Sequence, residues 1–485
     1  MRLVLGNQDR SQEDLFVACP LRELVPDDHV LKRVNKVLDL SWLRAEVREL
    51  YCDDNGRPSI DPEAAVRLML AGFFQGVVHD RKLMREAQVN IAMRWFAGYQ
   101  LHEKLPDHSS LTRIRQRWGE ERFKQIFERT VAQCIAAGLV NGETVHMDAT
   151  LIRADVSWDA VREQHVARVI AENGAEDEPR PQEPRRGRPR KPETGTQKVC
   201  TTDPDATLAK TSTNDIANPS YKQHTSVDDE AGIVLDVEVT TGSTAEGGRL
   251  REQIERVEKR TGRKVKTATA DSAYGTASNY AACEQRGTDA VIPPQRKKPR
   301  SACIPTVQFK YDAKHDVVRC PRGRTLLRKT RVENGWVYRP RAKDCKTCPL
   351  RAGCTTAKTG MRTVTIEDGY PALLRARRRW CERDASARAA YVRHKWRAEG
   401  IHGEAKTQHG LRRAVRRGLW NVRIQAYLTA AVMNLKRLAA ALLHALLALC
   451  ASGVSPGKPG TCPRGYLGTF SHLAPSRREP ARRAA

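Results

Sequence analysis

Apolar residues recur three and four apart through most of the first 140 positions and two apart in several shorter stretches beyond them. The chain therefore reads as a helical region followed by a region of mixed helix and strand. Asp61-Pro62 is a cap and first-turn pair, after which Val66, Leu68, Met69, Leu70, Phe73 and Phe74 supply an apolar face. A second helix is expected over 80–96, ending near Gly98. The run 106–119 offers Ser109 or Ser110 as a cap, with Leu111, Ile114 and Trp118 on one face and Arg113 and Arg117 on another. From 144 to 154, apolar and β-branched residues flank a single acid, Asp148, which predicts a short buried strand. Residues 221–240 predict a hairpin turning at D-E-A-G. A helix from about Glu246 then carries Leu250, Ile254 and Val257 on one side. Asp271 stands at the C-terminal end of the next strand, just before a helix running through Tyr280, and one more short strand is stopped by Pro293-Pro294. The sum is a mixed α/β sheet behind a helical N-terminal part.

Two stretches break this pattern. Residues 171–198 are rich in Pro, Glu and Arg and almost empty of apolar residues, so a disordered basic linker is expected there. Within it, P-R-R-G-R-P-R-K (184–191) has the R-G-R-P core of a minor-groove binding hook, with a plain charged linker as the alternative. Residues 295–370 turn basic, strand-poor and cysteine-bearing, and read as an insertion subdomain. Helix returns over 371–450, and 451–485 reads as a disordered tail. The divisions expected are thus 1–140, 141–294, 295–370, 371–450 and 451–485.

Charge sharpens the reading. Eighty-four Lys and Arg against 57 Asp and Glu leave a net +27 over 485 residues, as expected of a protein that meets a polyanion, with nucleic acid first among them. Ribosomal and membrane-surface proteins share such a balance, so charge does not choose between enzyme and binder. The N-terminus lacks the apolar run of a secretory signal, and 438–451 is interrupted by His444 and short for a bilayer, so a soluble cytoplasmic protein is expected. Thirteen cysteines in a reducing compartment are thiols or metal ligands.

A lone carboxylate in a buried strand is costly unless paired, protonated or metal-bound. Asp148 could be a capping residue or a ligand. Asp148 and Asp271, on strands of one sheet, can converge, and a cation would then offset their repulsion. Mg²⁺ suits such oxygen ligands and keeps water and phosphate in its shell. A third acid comes from W-R-A-E-G-I-H-G-E-A-K. Glu399 and Lys406, seven apart, share a helix face, whereas Glu404 lies about 140° round from Glu399 at ~100° per residue, so Glu399 is preferred. From Tyr391 to Arg437 there are eleven Lys and Arg against two acids. Arg397, Arg412, Arg413, Arg416 and Arg417 there, with Arg113 and Arg117, are candidate phosphate contacts. Solvated basic helix faces are the plain alternative. Cys320, Cys345, Cys348 and Cys354 hold one C-x-x-C spacing, which fits a structural zinc or spare thiols.

The stretches V-H-M-D-A-T, T-A-D-S-A-Y-G and E-G-I-H-G-E-A-K-T-Q-H-G-L-R-R, followed by R-R-G-L and N-L-K-R-L, resemble the DDE transposases of bacterial insertion sequences. G-R-P-S-I-D-P, D-R-K-L and P-D-H-S-S-L-T-R-I-R-Q-R resemble that family's helical N-terminal domain, so the likeness covers about residues 15 to 440. It implies a ribonuclease H-like fold in which Asp148, Asp271 and Glu399 bind two Mg²⁺, with Mn²⁺ able to substitute, and Lys406 holds transposon-end DNA. It implies binding of double-stranded DNA at terminal inverted repeats, cleavage and strand transfer, and at least a dimer. The family's Tyr and Arg upstream of the Glu are replaced here by Val392 and Lys395, with Tyr391 and Arg397 nearby. A DNA-binding regulator without catalysis and a ribonuclease H-like nuclease or resolvase are the alternatives.

Overall fold

The computed structural model describes residues 19–52, 59–157, 161–165, 196–210, 215–295, 303–357 and 360–451. The hook-like run 184–191 and the tail 452–485 lie outside the described residues.

Seven helices come first: α1 (Leu21–Leu24), α2 (Val30–Asn35), α3 (Leu43–Val47), α4 (Pro62–Phe74), α5 (Asp80–Val89), α6 (Ile91–Ala97) and α7 (His108–Ala136). The Asp61 side chain caps α4 by accepting from the Ala64 N–H, with Pro62 in the first turn, and all but three of its residues are buried. The helix expected over 80–96 is two helices. Asn90 adopts extended backbone and its side chain accepts from the Met93 N–H at 3.0 Å, so a cap interrupts what apolar spacing alone made continuous. The cap of α7 is Asp107, which accepts from the Ser109 N–H at 2.8 Å, so Ser109 and Ser110 lie inside the helix rather than before it. Gly119 bends α7 with φ of 69°, a conformation that favours glycine.

The central sheet contains β1 (Thr144–Arg153), β4 (Thr207–Ala209), β5 (Asn218–Asp228), β6 (Val234–Thr241), β7 (Thr267–Ala270) and β8 (Asp289–Val291). Between β1 and β4, β2 (Val161–His165) and β3 (Thr196–Cys200) form a separate ribbon. Residues 196–198, expected in the linker, are therefore strand paired with β2. β5 runs antiparallel to β1 on one side and to β6 and β4 on the other, while β7 lies parallel to β1 and β8 parallel to β7. The open edge of β6 is closed by side chains. Asn434 accepts from the Val234 N–H and donates to its carbonyl, both at 2.9 Å, as a neighbouring strand would.

α8 (Leu250–Thr261) and α9 (Ala277–Arg286) follow β6 and β7. The insertion then departs from expectation: β9 (Lys310–Asp312), β10 (Val317–Arg319), β11 (Thr325–Val332), β12 (Gly335–Arg339) and β13 (Val364–Glu367) form a five-stranded antiparallel sheet. Its strands are short and mostly exposed, with a core of only Phe309, Val318, Leu326, Tyr338, Val364 and Ile366, so no apolar run marked them. Asn334-Gly335, a hairpin dipeptide between β11 and β12, was the available signal. Two short helices, α10 (Ala342–Lys346) and α11 (Arg351–Cys354), complete it. α12 (Tyr370–Glu382), α13 (Ala385–Gln408) and α14 (Leu419–Ala451) then return to the main body.

One apolar core joins the N-terminal helices, the sheet, α13 and α14. By length and composition, residues 419–448 of α14 are the one stretch among the described residues able to cross a membrane. In this structure its first half is core, with Val422, Ile424, Leu428, Val432 and Leu435 almost fully covered. A buried ion cluster ties the same regions together. Asp80 of α5 accepts from both arms of Arg115 in α7, at 2.8 and 3.0 Å, and is bonded by Arg416 from beyond α13. Removing one partner of such a cluster leaves buried charge uncompensated, at about 3–5 kcal/mol. Asp80→Asn is therefore expected to lower unfolding free energy by roughly that amount, read by denaturant titration. A loss below about 1 kcal/mol would show that the cluster does not hold the two parts together.

Candidate active site

The parallel register of β1 and β7 ends at Met147 opposite Ala270. The next residues on each strand are Asp148 and Asp271, so the two acids stand side by side where β7 stops and β1 runs on against β5. β7 stops because Asp271 turns its carboxylate onto its own backbone, accepting from the Ala273 N–H at 2.9 Å and capping the turn Ser272–Tyr274. Pairing also fixes the face: His146, Asp148, Thr225, Thr269 and Asp271 all point toward α13.

α13 meets that face with buried histidines. His402 Nδ1 lies 3.3 Å from Asp148 Oδ2, while its Nε2 sits 3.1 Å from the Thr225 hydroxyl. The Ala149 N–H gives Asp148 a further bond of 2.8 Å. Burial acts to raise the Asp148 pKa, but the His402 bond and charge and the Ala149 amide outweigh it, so the carboxyl lies below its usual range. Asp271 goes the other way. Burial, then the charges of Glu246 and Asp148, push it up to about 6 against its backbone bonds. One carboxylate is held ionised and its neighbour strains against ionisation, as expected of two acids awaiting a cation.

Behind them a polar chain fastens α13 to both strands. His146 bonds Thr269 at 2.7 Å and Asp229 at 2.9 Å, Thr269 bonds His394 at 3.0 Å, and Arg393 pairs with Asp229 at 2.7 Å. Burial drives the His394 pKa down to about 4, so the ring serves this chain neutral. These histidines lie inside the motifs V-H-M-D and E-G-I-H, yet sequence reasoning gave them no role. The signal was their position two before Asp148 and three after Glu399.

Glu399 lies on the exposed side of α13, and its carboxylate makes no hydrogen bond or ion pair among the described residues. It faces the neighbourhood of the acid pair. Tyr391, stacked on His394, has its hydroxyl pKa raised by burial and then by the charges of both Asp271 and Glu399. Glu404 is elsewhere: it bonds Lys436 at 2.9 Å and Arg437 at 2.7 Å, with His409 3.5 Å away. Lys406 is partly buried. Its pKa is lowered by burial and then by Arg412, with Asp148 opposing, which places the cation beside the acid pair.

The remaining candidate cations divide. Arg113 and Arg412 are exposed without a side-chain partner among the described residues, and exposed Arg117 stacks over the Tyr51 ring at 4.6 Å. Arg413 pairs with Asp155 at 3.0 Å and Arg417 donates to the Asp155 carbonyl at 3.3 Å. Arg416 is committed to Asp80, and Arg397 to the Glu230 carbonyl and the Trp396 ring.

The donor chemistry suits a hard cation at Asp148 and Asp271, since Mg²⁺ is commonly held by one or two carboxylates together with substrate phosphate. Among the described residues no group of three or more His, Cys, Asp or Glu side chains is preassembled as a metal cage, so Glu399 is not drawn in with the pair. The same holds for the cysteines. Cys345 and Cys354 have raised pKa values, first from burial and then, among other charges, from the neighbouring thiols including Cys320 and Cys348.

The site is thus an acidic pair at a strand end, overlaid by a cationic helix. Two family matches frame it: residues 20–117 match a transposase domain, and residues 319–439 match a transposase DDE domain. The chain is accordingly a DDE-type transposase by family. The second match contains Glu399 and Lys406, while Asp148 and Asp271 precede it. Among solved structures, a piggyBac transposase synaptic complex with hairpin DNA aligns over 90% of this chain and 86% of its own at 11% identity and a TM-score of 0.29. A Mos1 transposase paired-end complex aligns over 52% and 65% at 11% identity and a TM-score of 0.15. Overlays this loose add nothing to the fold described above. No curated protein sequence matches the chain.

The two glutamates of α13 should separate in stability. Glu404→Gln weakens a partly buried charge cluster and is expected to cost about 1–3 kcal/mol. Glu399→Gln should stay within about 0.5 kcal/mol of the parent. Thermal and denaturant unfolding of both variants checks this, and equal effects would contradict the division of roles.

Proposed function

We propose that this protein binds the terminal inverted repeats of a mobile element, cuts the DNA at its ends and joins them to target DNA. What carries the reading is the pairing of Asp148 and Asp271 at the end of β7, beneath a cationic helix, in a chain with two transposase family matches. We read the sheet as ribonuclease H-like. Its order β6-β5-β1-β7-β8, with β5 alone running against the others, supports this. Catalysis requires Mg²⁺, with Mn²⁺ as a substitute.

Asp148 and Asp271 would hold the cation, with Glu399 closing on it once DNA is bound. The cation supplies charge stabilisation at the scissile phosphate and an acidified water. His402 and the Ala149 N–H hold the Asp148 carboxylate in one orientation, so its free lone pairs face the gap left by β7. Lys406 offers its ammonium to a neighbouring phosphate, and Arg412, Arg113 and Arg117 extend the contact along the duplex. The reacting strand needs attack in line with its leaving oxygen, first by water and then by the freed 3′-OH on target DNA. Two ends must meet in one complex, so the working form is at least a dimer, acting in the cytoplasm on nucleoid DNA. Cys320, Cys345, Cys348 and Cys354 bind a structural zinc. Gly323 N–H to the Cys320 carbonyl and Cys348 N–H to the Cys345 carbonyl form tight turns, and Arg322 bonds the Thr347 carbonyl, bringing the two cysteine loops together.

Asp148→Asn, Asp271→Asn and Glu399→Gln should each reduce Mg²⁺-dependent cleavage of a terminal-repeat duplex by about a thousandfold, the scale of several kcal/mol of lost charge stabilisation. Parent-like cleavage by any of them would remove that residue from the site. Cleavage without joining in a strand-transfer assay would favour a nuclease or resolvase. Elemental analysis of the purified protein should find about one zinc per chain, lost in Cys345→Ser. A zinc-free, fully stable parent would leave these as ordinary thiols.

A further inference from the structure

A third carboxylate approaches the acid pair from the face opposite α13. Glu246 opens the short helical turn Glu246–Arg249 after β6, and that turn packs directly on the turn that follows Asp271. A side chain on Gly247 would come within 2.7 Å of the Ala273 carbonyl, and Asn279 bonds the Gly247 carbonyl at 2.7 Å, so the two turns touch. Glu246 is mostly buried there and is held by Lys222 of β5, whose ammonium lies 3.0 Å from its carboxylate and 2.9 Å from the Thr244 carbonyl. Both residues line a cleft of about 430 Å³, with Ala273, Thr276, Ser278 and Gln295.

Tyr274 is an independent sign that something belongs between these groups. Its side chain is fully buried and its hydroxyl has no hydrogen-bond partner among the described residues, although such atoms are nearly always satisfied. After burial, the influences that raise its pKa are the charges of Asp148, Glu246 and Asp271, so the orphan hydroxyl sits among the same three acids. Glu246 also acts on Asp271 more strongly than Asp148 does. An uncommitted donor among three carboxylates, one of them tethered by a lysine, fits a hydrated cation whose water the hydroxyl would meet.

We propose that Glu246 is the third carboxylate of the cation centre at Asp148 and Asp271, held back by Lys222 until a divalent cation enters, with the Tyr274 hydroxyl bonding a water of that cation. The proposal rests on reading Asp148 and Asp271 as a cation centre, and deepens it. It assigns to a residue of the sheet's far face a share of the binding that Glu399, exposed on α13, does not supply before DNA arrives.

Mn²⁺ binding to the full chain without DNA, measured by calorimetry or by the loss of the free-ion spin resonance signal, tests it. Glu246→Gln should weaken Mn²⁺ at least about tenfold, and Lys222→Met, which frees Glu246, should tighten it severalfold. Glu399→Gln should bind Mn²⁺ as the parent does. If Asp271→Asn abolishes binding while Glu246→Gln binds like the parent, the Glu246 assignment is overturned and the pair survives. If Asp271→Asn binds like the parent, the centre itself is misread and the proposal falls with it. Should Glu246→Gln unfold, Lys222→Met decides alone, and unchanged or weaker binding there counts against the proposal.

Discussion

The structure depends on one register. β1 and β7 run parallel and their ladder stops at Met147 and Ala270, which brings two acids 123 positions apart (271 − 148) into adjacent places. A shift by one residue would turn one acid to the far face, because side chains alternate along a strand. Register is fixed by what lies beneath. Val145, Met147, Ala268 and Ala270 are fully buried on one face, and His146 and Thr269 are joined by a hydrogen bond on the other. Both faces thus select the same pairing, and the acidic pair is its consequence.

The register fixes the acids but not the helix above them. α13 is seated by polar contacts more than by apolar ones, through His394 to Thr269, His402 to Thr225 and Asp148, and Arg393 to Asp229. Buried polar links of this kind are costly when broken and directional when made, so they admit one rotation of the helix. That rotation puts Glu399 and Lys406 toward the open side and Glu404 toward α14, where Lys436 and Arg437 hold it. Asp229, whose pKa falls to about 2 because the bonds from His146 and Arg393 outweigh its burial, anchors the chain at its far end. The charged state of this anchor is secure across the physiological range.

Much of this was legible in the sequence. Strand, hairpin and helix order followed from period-two and period-3.6 patterns, and Asp148, Asp271 and Glu399 could be picked out because a lone acid in an apolar strand, or among dense cations, asks for a reason. Three things were not legible. Short capping side chains such as Asn90 cut helices that apolar spacing joins. The insertion's strands carry exposed charged residues on both faces, so they lacked the alternation that marks a half-buried sheet. Glu246 lay in a turn between a strand and a helix, and only tertiary packing brings it to Asp271, so no spacing rule could have found it.

The net +27 overstates the surface open to a polyanion. Arg115 and Arg416 are consumed by Asp80, Arg256 and Arg260 by Asp236, and Lys436 and Arg437 by Glu404, all in interior or half-buried clusters. These cations hold elements together and have little left for phosphate, since recruiting them would expose buried carboxylates. Those that remain free, Arg113, Arg117, Arg412 and partly buried Lys406, lie on α7 and on α13 with the loop after it. The phosphate-binding face is therefore defined less by where basic residues are dense than by where their acids are missing. Charge counting along a sequence cannot distinguish the two, because an Arg paired across 336 residues, as Arg416 is with Asp80, looks the same as a free one.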